Sequence, residues 1–314
     1  MRPPARPPSA PSPPPTPDRL DNSFRNREDG VVRQRRGTFS GVRGVPIAHR
    51  EWLPDGEARG TVVIAHGINE HGGRYAHVAE RLVRDSWMVG APDHRGHGLS
   101  GGRRAAVERF DDWITDLDSY IRGVLTAAPH PLFLLGHSLG GLIATVYALR
   151  HQDALDGLIL SSPSVLPPAE MYERTLRAGR FLSRWASNLP VVALRLDAVS
   201  RDQAVVDAYR ADPLVHLGKV RARTGAEILK AIEEVQRDIA QLHLPVLAVQ
   251  GTVDLVVDPG AARWVDGHVG SEDHTLHIYR GLYHEVFNEP ERDAVLDDLA
   301  RWLDDHAPVG AATG

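Results

Sequence analysis

One short segment of the chain combines a serine with glycines at a spacing suited to nucleophilic catalysis. Gly136-His137-Ser138-Leu139-Gly140-Gly141 directly follows the apolar run Pro131–Leu135 and directly precedes a stretch with helical periodicity. In a G-x-S-x-G segment between a strand and a helix, the serine occupies a sharp turn that projects its hydroxyl above the sheet. Neighbouring backbone passes too close for a β-carbon at the flanking glycines, Gly136 and Gly140. We therefore predict that Ser138 is a catalytic nucleophile.

A serine hydroxyl becomes reactive when a base removes its proton and a carboxylate orients that base. The apolar run Pro245–Gln250 is followed by Asp254, and the run Leu276–Tyr279 is followed by His284. The carboxyl ends of parallel strands meet at one edge of a sheet, so both side chains are expected beside Ser138. We predict Asp254 as the acid and His284 as the base.

Other carboxylates and imidazoles compete for these two roles. Asp258 is the alternative acid, but it precedes a proline and a predicted helix, which is typical of an N-cap. Of the 16 histidines, only His284 follows the last predicted strand within a short loop. His274 and His277 lie before or within that strand, and we interpret them as structural.

Acyl transfer also needs N–H donors for the oxyanion that develops on the carbonyl oxygen. Leu139 opens the predicted helix after the serine, so its N–H has no acceptor within that helix. The second donor is expected from the loop His66–Arg74, which follows the apolar run Thr61–Ala65 and contains three glycines. We predict that the N–H of Ile68 is this donor.

A cluster of histidines and one glutamate near this loop suggests zinc as an alternative. Its members are His66, Glu70, His71, His94 and His97. Their spacing does not repeat a ligand motif such as H-E-x-x-H. The chain contains no cysteine, which excludes disulfides, thiol catalysis and Cys-ligated metal centres. We predict no metal and no cofactor.

The elements that must position these residues are short apolar runs alternating with helical stretches. The predicted strands are Thr61–Ala65, Trp87–Ala91, Pro131–Leu135, Leu155–Leu160, Pro245–Gln250 and Leu276–Tyr279. The predicted helices are Tyr75–Asp85, Asp111–Ala127, Leu139–His151, Gly260–Gly267 and Arg292–His306. Strands without polar alternation have both faces covered. The pattern predicts a doubly wound, mostly parallel α/β sheet, and with the serine turn it indicates the α/β-hydrolase fold.

The alternation is interrupted between residues 163 and 242, where no strand-like run separates the helical stretches. We predict a helical cap or lid over 163–242, inserted into a core formed by 37–162 and 243–307. Nine of the 23 prolines lie between Pro3 and Pro17. Such a composition cannot bury enough surface to offset ordering entropy. We predict a disordered tail over 1–36, with a ligand for a proline-binding module as the alternative, and a disordered C-terminus over 308–314.

Charge and hydropathy bear on whether the protein binds nucleic acid, crosses a membrane or is secreted. The net charge of −5 does not favour nucleic acid, which requires a basic surface. The sequence contains no run of about 18 apolar residues, so we predict no membrane-spanning helix. The N-terminus also lacks the apolar region of a secretory signal. We expect a cytoplasmic protein.

These motifs together resemble the monoacylglycerol lipase family, and its actinobacterial members in particular. The resemblance covers roughly residues 37–307 and rests on His66-Gly67-x-x-Glu70-His71-x-x-Arg74-Tyr75, Asp93-His94-Arg95-Gly96-His97-Gly98-x-Ser100, Gly136-His137-Ser138-Leu139-Gly140-Gly141, Gly251-Thr252-x-Asp254 and Gly281-Leu282-Tyr283-His284-Glu285. Two positions depart from the family pattern. Asn69 stands where the family often has glycine, and Leu139 where it often has methionine.

The resemblance implies hydrolysis of monoacylglycerols to glycerol and fatty acid without a cofactor. It also implies a mobile amphipathic cap that makes transient contact with a membrane surface. By the same likeness, Ile68 and Leu139 supply the oxyanion N–H groups, and Glu70 and Arg74 bind the glycerol head, unless these two only form a salt bridge within their loop. The alternatives are a lysophospholipase or general carboxylesterase, or a non-catalytic lipid-binding protein on the same scaffold.

Overall fold

A mixed eight-stranded sheet forms the centre of the protein in a computed structural model that describes residues 33–167, 190–192 and 195–307. Its strands are β1 (Arg33–Ser40), β2 (Pro46–Leu53), β3 (Thr61–Ala65), β4 (Met88–Pro92), β5 (Leu132–His137), β6 (Gly157–Ser161), β9 (Val246–Gly251) and β10 (His274–Tyr279). They lie in the order β1-β2-β4-β3-β5-β6-β9-β10. The strands from β4 to β10 in this order are parallel, whereas β1 and β2 pair antiparallel.

Helices cover both faces of this sheet, which is why its central strands β3, β4, β5, β6 and β9 are buried along their whole length. The helices are α1 (Ala76–Arg84), α2 (Asp111–Asp118), α3 (Leu139–His151), α4 (Gln203–Ala211), α5 (Ala222–Asp238), α6 (Ala261–His268) and α7 (Arg292–His306). Alternate residues of β3 point to opposite faces. Val62 and Ile64 join a buried cluster with α1 and α7, whereas Val63 and Ala65 join one with α2, α3, α5 and α6. The predicted α/β-hydrolase architecture is confirmed.

The predicted strands and helices are present, with small differences at their ends. The helices after Ser138 and at the end of the core span Leu139–His151 and Arg292–His306, as predicted. The helix predicted over Asp111–Ala127 is α-helical only to Asp118 and continues as a π-helix over Ser119–Val124.

The folded core begins earlier than predicted. Strand β1 starts at Arg33, so the tail predicted over 1–36 overlaps it by four residues, and the predicted core boundary at 37 is wrong. β1 and β2 were not predicted as strands because their sequences are rich in charge. Buried Arg50 of β2 is neutralised by Asp93 at 2.7 Å, and buried Glu51 pairs with Arg35 of β1. Residues 1–32 and 308–314 lie outside the described residues.

The predicted cap over 163–242 differs from the structure in two respects. Val220–Arg221 forms a short strand, β8, antiparallel to β7 (Pro190–Val192), where only helix was predicted. Helix α5 buries Ile232 and Val235 in the same cluster as residues of α3, so it packs on the core rather than forming a separate lid. The apolar residues predicted for the first part of the cap, 168–189, lie outside the described residues.

Within residues 33–167 and 195–307, no helix combines the length and apolar character needed to cross a bilayer.

Candidate active site

Ser138 lies at the turn between β5 and α3. Its backbone has φ 53° and ψ −118°, the left-handed side of backbone space that non-glycine residues seldom adopt. A β-carbon at Gly140 would lie 2.0 Å from the carbonyl oxygen of Ala65, and one at Gly136 would lie 2.4 Å from that of Gly140. The two glycines therefore allow β3, β5 and α3 to approach closely enough to hold the serine in this strained conformation.

The loops after β9 and β10 bring Asp254 and His284 together. His284 Nδ1 lies 2.9 Å from Asp254 Oδ2, and both side chains are buried. Asp254 Oδ1 accepts hydrogen bonds from the backbone N–H groups of Val256 and Val257, at 2.9 and 3.1 Å. On the other side, the hydroxyl of Ser162 donates to the carbonyl oxygen of His284 at 2.7 Å. Both predicted residues are thus fixed in position.

Gln250 contacts the predicted acid Asp254, and it was not identified from the sequence as part of the site. It is the last residue but one of β9, and its Nε2 donates to Asp254 Oδ2 at 3.1 Å and to the carbonyl oxygen of Asp258 at 2.9 Å. Its Oε1 accepts the N–H of Ala262 at 2.9 Å, which fixes the orientation of the amide. A fully buried glutamine at the end of an otherwise apolar strand was the available signal.

The pair behaves electrostatically as a carboxylate and a strengthened base. Burial alone would raise the pKa of Asp254, but His284 and the two backbone N–H donors hold that pKa below its usual value. Burial alone would lower the pKa of His284, but Asp254, with smaller contributions from Glu285 and Glu70, raises that pKa above its usual value. His284 is therefore a better proton acceptor than its burial would suggest.

Ser138, His284 and Ile68 line the same pocket at the carboxyl edge of the sheet. The Ser138 hydroxyl lies 3.5 Å from Ser164 Oγ, a contact too long to restrain it strongly. Leu139 is the first residue of α3, so its N–H has no acceptor within the helix. The nucleophile, base and oxyanion candidates are thus gathered at one site.

Glu70 and Arg74 belong to a buried ion-pair network that also includes Glu285. Arg74 contacts Glu70 through Nη1 and binds both carboxylate oxygens of Glu285 at 2.7 Å. Glu70 Oε1 also accepts the Gly67 N–H at 2.6 Å and the Tyr75 hydroxyl at 2.7 Å. Glu70 and Glu285 line the pocket with Ser138, whereas Arg74 lies behind them. Glu285 directly follows His284 in the Gly281–Glu285 motif, but the sequence did not predict it as a site residue.

Comparison with known proteins agrees with this geometry. A family model described as serine aminopeptidase, S33 (Hydrolase_4) matches residues 56–291. The monoacylglycerol lipase of Mycolicibacterium smegmatis is 40% identical over 272 residues, covering 86% of this chain and 96% of that protein. The chain belongs to the monoacylglycerol lipase family. Human monoglyceride lipase is 33% identical over 269 residues, covering 84% of this chain and 89% of that protein.

Solved structures similar to this chain also include a monoacylglycerol lipase. The crystal structure of the Paleococcus ferrophilus monoacylglycerol lipase superimposes with a TM-score of 0.74 at 28% identity, covering 87% of this chain and 99% of that one. The mycobacterial relative agrees with the expected resemblance to actinobacterial members.

The departure from the family pattern at Asn69 has a structural explanation. Asn69 has φ 67°, in the left-handed region where glycine is unstrained and asparagine is among the best-tolerated side chains. The loop can therefore keep the conformation that glycine would give. The carbonyl oxygen of Asn69 also accepts the N–H of His216 at 2.8 Å, which joins the Ile68 loop to the segment after α4.

The histidines considered for zinc make backbone hydrogen bonds instead. His66 Nδ1 lies 2.7 Å from the carbonyl oxygen of Gly67, and His66 Nε2 accepts the N–H of His94 at 2.9 Å. His97 Nδ1 lies 3.0 Å from the carbonyl oxygen of Arg95. Burial lowers the pKa of His94 to about 3 and that of His97 to about 4. Among the residues that the structure describes, no group of three or more His, Asp or Glu side chains is arranged to hold a metal ion.

The alternative acid and base residues have local partners. Asp258 Oδ1 accepts the N–H of Gly260 at 2.8 Å, just before α6, so it stabilises the turn that begins the helix. His274 Nδ1 lies 2.8 Å from Asp266 at the surface.

Proposed function

We propose that this protein is a serine hydrolase that releases fatty acid and glycerol from monoacylglycerols through an acyl-enzyme on Ser138. The observation that carries the proposal is the buried Asp254–His284 pair, held at 2.9 Å beside the pocket where Ser138 occupies a strained turn. Membership of the monoacylglycerol lipase family supports the substrate class.

The first half of the reaction forms the acyl-enzyme. His284 Nε2 takes the proton of Ser138 as Oγ attacks the ester carbonyl carbon, and Asp254 stabilises the resulting imidazolium. The N–H groups of Ile68 and Leu139 bind the oxyanion of the tetrahedral intermediate. When the intermediate collapses, the bond to the glycerol oxygen breaks, and His284 gives its proton to that oxygen.

The second half returns the enzyme to its starting state. Water replaces glycerol, and His284 takes a proton from it as its oxygen attacks the acyl carbon. The bond to Ser138 Oγ then breaks, and His284 returns the proton to the serine as the fatty acid leaves. No cofactor or metal is needed for either half.

The glycerol head and the acyl chain of the substrate are proposed to contact different parts of the protein. Glu70 lines the pocket and is proposed to accept hydrogen bonds from glycerol hydroxyls. Arg74 lies behind the pocket, so we assign it to positioning Glu70 and Glu285 rather than to direct contact. The acyl chain is proposed to lie against the inserted region 163–242, where each buried methylene contributes about 0.8 kcal/mol. Transient contact with a membrane surface through that region, and a cytoplasmic location, remain part of this proposal.

The test compares fatty-acid release from monoolein, diolein, triolein and lysophosphatidylcholine by the wild-type protein and by Ser138→Ala. We expect release mainly from monoolein, and a loss of at least about 10³-fold in the variant with the fold retained. Retained esterase activity in Ser138→Ala would exclude Ser138 as the nucleophile. Faster turnover of lysophosphatidylcholine than of monoolein would instead favour a lysophospholipase. Failure of the wild type to react with a fluorophosphonate would favour a non-catalytic lipid-binding protein.

A further inference from the structure

Two carboxylates face the pocket next to the nucleophile, and one guanidinium serves both. Glu70 and Glu285 line the pocket and are 2% and 5% exposed. Arg74 bridges them, with a bidentate contact to Glu285 at 2.7 Å and a single contact to Glu70. Its other surroundings are aromatic, because the guanidinium lies 4.4 Å from the centre of the Tyr209 ring. The hydrogen-bonding capacity that Arg74 directs towards the pocket is therefore already used.

The described residues beside Ser138 carry a net negative charge. Among the described residues that line this pocket or contact its two glutamates, Arg74 is the single arginine or lysine, whereas Asp254 adds a third carboxylate behind His284. Burial would raise the pKa of Glu285, but Arg74 lowers it to about 2, so Glu285 is ionised at neutral pH. Burial and the neighbouring His284 lower the pKa of His137 to about 4, so that ring is neutral.

These charges should favour glycerol as a leaving group over a leaving group that carries a phosphate. A glycerol hydroxyl can donate a charge-assisted hydrogen bond to a carboxylate oxygen. Among the described residues that line this pocket or contact its two glutamates, none is a cation left to bind a phosphate. The carboxylates repel a phosphate in surroundings that screen charge less than water does. The repulsion acts on the leaving-group side of the ester, where the two substrates differ.

We propose that Glu285, together with Glu70, is a specificity-determining residue that selects substrates with a neutral polyhydroxy leaving group and excludes those whose leaving group carries a phosphate anion. This inference rests on the proposed function, because it takes the pocket beside Ser138 as the place where glycerol leaves. It assigns the selection to charge rather than to the size of the pocket.

The experiment uses substrates with one acyl chain and different head groups. kcat/KM is measured for 1-octanoylglycerol, for 1-octanoylglycerol 3-phosphate and for the dimethyl ester of that phosphate, all below their critical micelle concentrations. We expect the wild type to prefer the neutral glycerol ester to the phosphate by about 100-fold or more, and to cleave the uncharged dimethyl ester at least about tenfold faster than the phosphate. Equal rates for the phosphate and its dimethyl ester would overturn the proposal, because the exclusion would then be steric.

A variant tests the assignment to Glu285. Glu285→Gln keeps the shape and one acceptor for Arg74 but removes the charge, and it should reduce the preference for the neutral ester at least about tenfold. Impaired folding or a weaker base would lower both rates together and leave their ratio unchanged. The control is Glu57→Gln, which removes an exposed carboxylate from the loop before β3, at the opposite edge of the sheet, and should not change the ratio.

The outcomes separate the two proposals. If the wild type cleaves none of the three esters, the proposed function fails. If it cleaves the glycerol ester but Glu285→Gln and Glu57→Gln show the same preference as the wild type, the proposed function stands and the role of Glu285 is wrong.

Discussion

Replacing Asp254 by asparagine tests the hydrogen-bond network around the proposed base. The two carboxylate oxygens accept four N–H donors, with His284 and Gln250 on Oδ2 and the backbone of Val256 and Val257 on Oδ1. An amide has one oxygen, so one side must now face an NH₂ group. Placing the NH₂ at Oδ1 would oppose two backbone donors that cannot move, so we expect it at Oδ2.

The consequence for His284 follows from that orientation. To accept the new N–H at Nδ1, the imidazole must carry its proton on Nε2, where it can no longer take the serine proton. We expect kcat to fall about 10⁴-fold, the size of effect that the wrong tautomer produces in serine hydrolases. The loss of stability should be smaller, about 1–3 kcal/mol, because one donor of Gln250 is left facing the amide. Gln250 cannot flip without losing its bonds to Asp258 and Ala262.

The assay is kcat/KM for a p-nitrophenyl ester from pH 5 to pH 9, with thermal unfolding as the check on folding. In the wild type, Asp254 raises the pKa of His284, so the rate should rise with pH through a value above the usual range for histidine. Without that carboxylate, burial has the larger effect on the pKa of His284 and lowers it. The residual activity of Asp254→Asn should still increase with pH, but the increase should be centred at a lower pH than in the wild type. The matched control is Asp258→Asn, whose amide oxygen can still accept the Gly260 N–H, and activity should stay within a few-fold. An acid limb at the same pH in Asp254→Asn, or a large loss in Asp258→Asn, would refute the reasoning.

Three further changes test other parts of the site. Gly140→Ala would place a methyl group 2.0 Å from the Ala65 carbonyl oxygen; we expect a loss of about 3 kcal/mol or more, or failure to fold, by chemical denaturation, and a stable, active variant would show that the backbone here can shift. Asn69→Gly should keep activity within a few-fold, whereas Asn69→Val, strained at φ 67°, should lose about 1–3 kcal/mol; equal melting temperatures would contradict this. The pKa of Glu285 is depressed to about 2 by Arg74, so its contribution to stability is present above the ordinary glutamate pKa and is lost as pH falls towards 2. Unfolding free energies measured between pH 5 and pH 2 should therefore decline less steeply in Glu285→Gln than in the wild type.

The candidate catalytic residues could be predicted because their signals are local. A glycine two residues on either side of Ser138, an apolar run before it and a helix after it describe one turn of backbone, and the structure places that turn as the spacing indicates. Asp254 and His284 follow buried strands, and the carboxyl ends of parallel strands share an edge. Their proximity is therefore a consequence of topology, which apolar periodicity reveals.

Other features depend on partners distant in the chain. β1 and β2 are rich in charge, yet they pair with the sheet as strands. Their buried charges are neutralised because Arg50 meets Asp93, 43 residues away, and Glu51 meets Arg35 of the neighbouring strand. The residues next to these charges in the sequence do not indicate which residue will be the ion-pair partner. Helix α5 was assigned to the cap by its position in the chain, and only its packing on α3 shows that it belongs to the core.

The sequence by itself determined the fold class, the serine turn and the candidate acid and base, because each is specified by neighbouring residues and by the alternation of strands and helices. The tertiary structure decided what surrounds them. Gln250 fixes the orientation of Asp254 only because the loop after β9 folds back over it. Glu285, 211 residues from Arg74, becomes part of the pocket only when two loops meet at the edge of the sheet. Charge balance in a pocket is a sum over distant parts of the chain, and folding is what brings them together.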